Sequence, residues 1–304
     1  MDTIFFCVYC ENECVYCGKL NLTFFRTQIT RIIRVSADSI FVSSAEIIKI
    51  CVICVLNSLA VSSRFCYPKT QKEKLYMMSR VIAIDGPSGS GKSSVSKRVG
   101  AKLGFLHVDS GALYRIMTWQ CLANAIDTSD PEAVAAFARQ VSVDCVPRDG
   151  AVAYLVNGQP PGNAIRTPEI NRHASPVATV KAVRDRVTAW LRGMARFGNL
   201  IVEGRDITTA VFPESPARFY LTASAEARAE RRRLEEVEKG IANQSAEEVK
   251  RSLLARDAID STRKHAPLRK ADGALEIDST HMTLDDVVAA VLAALPEEWL
   301  AGSE

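Results

Sequence analysis

A three-layer α/β fold built around a parallel sheet is what this sequence predicts, and three observations predict it. Short apolar strands alternate with stretches of helical periodicity from residue 78 onward. A glycine-rich run, Gly86-Pro-Ser-Gly-Ser-Gly-Lys-Ser93, lies between the apolar strand Val81–Ile84 and a helix expected over Ser94–Leu103, where Val95, Val99 and Leu103 recur every four residues. Hydroxyl-bearing or charged turns follow two further strands, at the carboxyl ends where open α/β sheets bind ligands. The 304 residues, 47% hydrophobic and 24% charged, suffice for a sizeable core. A formal net charge of +3 is too small to argue for a nucleic-acid face.

Residues 1–77 read as an atypical, cysteine-rich extension, expected to be disordered or non-native, with the main domain starting at Met77 or Met78. All cysteines except Cys121 and Cys145 lie in it, including the pairs Cys7/Cys10, Cys14/Cys17 and Cys51/Cys54. Such pairs suit zinc by spacing, but three residues between the first two leave little chain to present four thiolates tetrahedrally. The apolar stretch Ile40–Val61 is interrupted by Glu46 and Lys49 and falls short of a membrane span. Residues 18–36 carry Lys19, Arg26, Arg31 and Arg34 without an acid, a transit-peptide trait offset by Asp2, Glu11 and Glu13 before them.

The glycine-rich run has the P-loop pattern of Gly, four residues, Gly, Lys, Ser or Thr. Glycines let the backbone close around phosphate oxygens, and the following helix start adds free N–H groups and the positive end of its dipole. Gly86, Pro87, Ser88, Gly89, Ser90, Gly91, Lys92, Ser93 and Ser94 are therefore the expected ATP cradle. Lys92 is expected at the β/γ-phosphates and Ser93 at Mg²⁺.

Further strands are expected at Phe105–Val108, Leu200–Val202, Ala217–Leu221 and Ala274–Ile277, making five in all. Between the second and third lies a block of alternating residues, Val141–Tyr154, with a further short strand over Leu155–Gln159 before Pro160-Pro161-Gly162. It reads as an antiparallel insert, either the acceptor-binding part of a nucleotide kinase or a plain surface hairpin. Thr283 and Asp286 form a capping-box pattern ahead of a last helix with Val287, Val288, Val291, Leu292 and Leu295 on one face.

Two turns and two helices carry charge. Asp109-Ser110-Gly-Ala-Leu-Tyr114-Arg115 follows the second strand, and Glu203-Gly-Arg205-Asp206 follows the third, with Glu203 placed to order Mg²⁺ through water. A helix over Ala225–Lys239, ended by Gly240, sets Arg228, Arg231 and Arg232 on one face, to clamp a polyphosphate or to pair with Glu235 and Glu236. Arg256, Asp260 and Arg263 share a mixed-sign face that suits a ribose and a phosphate, or an ion-pair ladder.

Together with Ile165-Arg-Thr167 and Ala266-Pro-Leu268, these motifs resemble bacterial cytidylate kinase over about Met78–Pro296, in the same order. The resemblance implies a three-layer P-loop fold with a five-stranded parallel sheet, a small antiparallel insert for the acceptor monophosphate (about 138–180) and a helical lid (about 225–240). It implies transfer of the γ-phosphoryl of ATP to CMP or dCMP with Mg²⁺, in the cytoplasm, by a monomer, with no nucleic acid and no membrane involved. Lys92 and the lid arginines Arg228, Arg231 and Arg232 then look catalytic. Arg115, Arg205 and Arg263 look like ligands of the CMP phosphate, beside Ser110 and Tyr114. Ser175, Arg184 and Asp206 look like cytosine readers, and Arg256 with Asp260 looks like the ribose pair. The chain departs from the pattern at Glu203, often Asp, and at Thr208, often Gly, which puts a β-branched side chain near the acceptor cleft. A kinase for UMP or AMP, or a regulator working through residues 1–77, is the competing reading.

Overall fold

The computed structural model describes residues 3–10, 13–21, 79–238 and 245–300, with only the backbone of the first two segments. The chain divides into two units, Met1–Pro68 and Lys69–Glu304. In the first, β1 (Thr3–Cys10) and β2 (Glu13–Asn21) pair antiparallel, with Cys7 opposite Cys17. The cysteine pairs weighed as zinc ligands, the apolar stretch Ile40–Val61 and the Gly240 helix stop lie outside the described residues or their described side chains. Among the described residues no helix is long and apolar enough to cross a membrane.

The second unit is a helix–sheet–helix sandwich. Its elements run β3 (Val81–Asp85), α1 (Lys92–Leu103), β4 (Leu106–Asp109), α2 (Ser110–Ala123), α3 (Pro131–Ala138), β5 (Asp144–Arg148) and β6 (Ala151–Leu155). After these come α4 (Pro168–Thr179), α5 (Lys181–Gly193), β7 (Leu200–Gly204), β8 (Ala217–Thr222), α6 (Ala225–Glu238), α7 (Ala246–Thr262), β9 (Leu275–Asp278), α8 (Leu284–Ala293) and α9 (Glu297–Leu300). The sheet order is β5-β6-β4-β7-β3-β8-β9.

All five expected parallel strands are present, and each continues one or two residues past the point where its apolar run ends, or starts one residue later. The strand count is corrected to seven. The β5–β6 hairpin is antiparallel within itself but hydrogen-bonds onto the parallel sheet beside β4, at the pair His107 and Ala151. The short strand expected over Leu155–Gln159 is a single bridge, Val156 to Gln159, around Asn157 and Gly158, both at positive φ.

Alternation along the central strands explains the layers. Val81 and Ala83 of β3, with Leu200 and Val202 of β7, pack on one face against α2, α3, α4 and α5. Ile82, Ile84 and Ile201 face the other way, onto Val95 and Val99 of α1 and Val287, Val288 and Val291 of α8. A strand covered on both faces is apolar along its covered length, which is why Val81–Ile84 and Leu200–Val202 read as unbroken hydrophobic runs, with Asp85 and Glu203 only at the carboxyl ends. Each fully buried Val or Ile contributes roughly 1.5–3 kcal/mol. The Thr283–Asp286 capping box starts α8 as expected, and an unforeseen one, Ser245 with Glu248, starts α7.

Gly86 joins β3 to the phosphate loop at φ +151°, and a Cβ there would lie 2.0 Å from the Leu221 carbonyl oxygen of β8. Gly86→Ala is expected to cost about 3 kcal/mol or more, from combined backbone strain and collision, read from the denaturant midpoint. An unchanged midpoint would show that β8 yields at that point.

Candidate functional site

The carboxyl ends of β3, β4 and β7 open into one cleft of about 540 Å³. Its floor is the phosphate loop, whose residues Ser88–Ser94 line the wall together with Val95. Gly91, at φ +89°, caps the amino end of α1, so the helix begins at Lys92, two residues earlier than its apolar period suggests. Gly86 and Pro87 lie behind the lining, shaping the loop. Lys92 is buried and folded back on the loop, donating to the Pro87 carbonyl at 2.6 Å and to Ser90 Oγ at 3.3 Å. Burial, with Arg205 second, pushes its ammonium well below the usual lysine range, while Glu203, Asp257 and Asp85 pull it back.

Glu203 is the last residue but one of β7 and lines the cleft. One carboxylate oxygen accepts from His107 Nε2 at 3.1 Å across the β4–β7 seam, leaving the other for the cleft. His107 carries no motif of its own, and only the parallel register brings it to Glu203. A hard cation suits this donor set: a carboxylate, the Ser93 hydroxyl on the first turn of α1, and phosphate oxygens from a ligand.

On the acceptor side, Asp109 caps α2 by accepting from the Ala112 N–H at 3.0 Å and pairs with Arg115 at 2.8 Å. Burial pushes its carboxyl upward, but Arg115, His107 and Arg166 outweigh that and hold it below the usual range. Ser110, Tyr114, Arg115 and Arg166 line the cleft. The Ser110 hydroxyl is already committed to the Glu203 carbonyl at 2.6 Å. Tyr114 Oη and the Nε atoms of Arg115 and Arg256 are buried with no protein hydrogen-bond partner, on residues that line the cleft. Burial, then Arg205, pushes Arg256 down to about 10.

Two buried carboxylates organise the arginines. Asp206 pairs with Arg184 and, at 3.5 Å, with Arg263. Asp260 accepts from Arg205 Nε at 3.1 Å and lies 3.5 Å from Arg263 Nη1. Asp206, Arg205, Arg256, Asp260, Arg263 and Ser175 all line the cleft, whereas Arg184 is buried beside it, over the Tyr114 ring at 5.5 Å.

The expected arginine face of α6 is only partly formed. Arg231 and Arg232 line the cleft, the first donating to Ser279 Oγ at 2.9 Å, the second to Glu236 at 2.9 Å and Glu235 at 3.2 Å. Arg228 is buried outside the cleft lining, its guanidinium turned under the loop to the Ser88 carbonyl and Asp257. Thr208 is corrected. It does not reach the acceptor cleft, because its hydroxyl donates to Asp85 at 2.6 Å within the core.

Residues 82–297 match the cytidylate kinase family. The chain belongs to that family. A cytidylate kinase of Shouchella clausii is 41% identical over 216 residues, covering 71% of this chain and 96% of the relative. One from Streptomyces avermitilis is 42% identical over 220 residues, covering 72% and 93%. One from Limosilactobacillus reuteri is 40% identical over 210 residues, covering 69% and 92%. The cytidylate kinase match begins within β3 and ends in α9, so it takes in the whole cleft.

Asp85, at the end of β3, was not singled out from sequence. Its carboxylate accepts from the N–H groups of Ile207 and Thr208, at 2.9 and 2.7 Å, and so fixes the turn after Asp206. Burial first, then Asp206, pushes it up to about 6 against those bonds. The folded chain therefore takes up this proton at higher pH than the unfolded one. The stability it contributes, of order 3 kcal/mol, is full below the ordinary value of 3.8 and is lost as pH rises through about 6. Wild type minus Asp85→Asn, compared in denaturant midpoints from pH 4 to 7 without nucleotide, is expected to show that falling slope. A rising slope would mean the hydrogen bonds outweigh burial.

Cys121 and Cys145 are free thiols, and burial pushes both up to about 11, so neither is a ready nucleophile at neutral pH.

Proposed function

We propose that the chain transfers the γ-phosphoryl group of ATP to CMP or dCMP, giving ADP and the cytidine diphosphate. The observation that carries this reading is one cleft in which a P-loop faces Arg115, Arg205, Arg256 and Arg263, with Arg205 and Arg263 paired to buried Asp260 and Asp206. Membership of the cytidylate kinase family supports it.

The loop N–H groups and Lys92 would hold the β- and γ-phosphates, and Arg231 and Arg232 would close from α6. Arg115, Arg205 and Arg263 would hold the acceptor phosphate in line with the γ-phosphorus. Ser175, Arg184 and Asp206 would read the base, Asp206 by accepting from the exocyclic amino group of cytosine, a contact uracil cannot supply. Arg256 would offer its free Nε to the ribose or phosphate, with Asp260 keeping Arg205 and Arg263 in place. Mg²⁺ would be held by Ser93 and, through water, by Glu203, and when bound it neutralises charge on the β/γ-phosphates. No covalent nucleophile is needed, because a loose phosphoryl-transfer transition state is stabilised by positioning and by cations. The enzyme is read as a cytoplasmic monomer whose activity resides in residues 78–304.

An ADP-release assay on the full chain with Mg-ATP and, separately, CMP, dCMP, UMP, AMP and GMP tests this. Turnover confined to CMP and dCMP is the expected result, with a chain starting at Met78 equally active. Preference for UMP or AMP would reassign the acceptor, and no turnover in a folded, ATP-binding chain would reject kinase activity toward these monophosphates.

A further inference from the structure

Three elements meet behind the phosphate loop at one peptide group. The Ser88 N–H donates to Asp257 Oδ1 at 2.9 Å, and the Ser88 carbonyl accepts from Arg228 Nη1 at 3.0 Å. Arg228 also pairs with Asp257 Oδ2, so acid, base and peptide close a ring. Both side chains are mostly buried, 8% and 14% exposed, where a charged network is stiff. Arg228 Nε is anchored to the Ala223 carbonyl at 3.1 Å, just before α6. A Cβ at Gly89 would lie 3.0 Å from the Arg228 carbonyl oxygen, so loop and helix touch backbone to backbone.

Neither Arg228 nor Asp257 is among the residues lining the cleft. Asp257 nevertheless sits on α7 next to Arg256 and one turn before Asp260, both of which do line it. One helix thus touches the acceptor side through two residues and the donor loop through a third. Any shift of α7 that brings Arg256 onto an acceptor must carry Asp257, and with it the Ser88 peptide.

We propose that the Arg228–Asp257 pair is a positioning latch which couples the two nucleotide sites, so that occupancy of the acceptor site raises the affinity of the phosphate loop for its own ligand. This rests on the reading that the cleft binds a donor and an acceptor nucleotide together. The coupling is reciprocal, because both ligands bias the same element.

The test measures the affinity of the full chain for Mg-ADP by calorimetry, without CMP and with saturating CMP, in wild type, Asp257→Asn and Arg228→Lys. Asp257→Asn keeps an oxygen for the Ser88 N–H but loses the ion pair. Arg228→Lys keeps the charge but loses the fork that spans carbonyl and carboxylate. In wild type, CMP is expected to tighten Mg-ADP about fivefold or more. In both variants that ratio is expected to fall to within about twofold of one. Mg-ADP affinity alone should weaken about tenfold, the effect of one charge-assisted hydrogen bond, and CMP affinity alone should stay within about twofold.

A wild-type ratio near one overturns the latch, as do variants that keep the wild-type ratio or lose both affinities equally. If Asp257→Asn does not fold, Arg228→Lys decides by the same ratio. Failure of the functional reading shows separately, as a wild-type chain that binds Mg-ADP but neither binds nor phosphorylates CMP. The ratio is then measured with whichever monophosphate turnover identifies.

Discussion

Lys92→Ala is expected to lower kcat with saturating ATP and CMP about 10³-fold, the scale set by removing one cation from a phosphoryl-transfer site. The Lys92 ammonium is held inside the loop by the Pro87 carbonyl and Ser90 Oγ, so it needs only to swing from one oxygen to another to meet a phosphate. Burial already disfavours its charge, and an anionic ligand would restore it. Removing an uncomfortable buried cation should leave the denaturant midpoint unchanged or slightly raised. The KM for CMP should hardly move, because the acceptor arginines are untouched. Lys92→Arg is not expected to rescue, since a planar fork cannot take the place of a compact ammonium inside the loop. A loss smaller than tenfold would mean that the ammonium does not reach the transferred group.

Asp206 should give the second large effect, on stability and on acceptor choice together. It is buried between Arg184 and Arg263, so Asp206→Ala leaves Arg184 without a carboxylate and Arg263 with Asp260 alone, both largely away from water. Loss of one partner from a buried pair costs about 3–5 kcal/mol, to be read from the denaturant midpoint. Asp206→Asn keeps the shape and one carbonyl acceptor, and should fold. It is expected to lower kcat/KM for CMP about 10²-fold and to lower that for UMP much less, because a lost hydrogen bond to the substrate leaves buried polar groups unpaired. Equal losses for both acceptors would place Asp206 behind the arginines and away from the base.

The parts of this enzyme visible in its sequence are those whose physics is local. The phosphate loop needs its glycines and Lys-Ser within eight positions, and β3 and β7 need apolar residues up to their carboxyl ends because both faces are covered. The capping box at Thr283 and Asp286 is likewise local. What sequence reasoning missed depends on pairing across distance. Asp85 meets Thr208, His107 meets Glu203, and Asp257 meets Ser88 and Arg228. None of these pairs has a spacing that marks it, since each is set by sheet register or by where α7 docks. The burial of Arg228 was hidden for the same reason. Helical spacing puts it near Arg231 and Arg232, but a guanidinium at the buried edge of that face turns to the nearest carbonyl. The hairpin misled in a related way: alternation announces an antiparallel pair, yet nothing in it says that one strand will also accept a parallel neighbour.

That hairpin joins the rest of the sheet through a seam one residue pair wide, His107 with Ala151, backed by the His107 N–H to the Gly150 carbonyl at 2.9 Å and by Tyr154 Oη to the Asp109 carbonyl at 3.0 Å. In the language of amide exchange, so narrow a seam is an expected boundary between cooperative units, with β3, β4 and β7 on one side and, on the other, a hairpin flap that is held also by buried Val152 and Tyr154. Opening the flap would free the backbone of His107 and of Asp109 at the mouth of the acceptor site while the phosphate loop stayed intact.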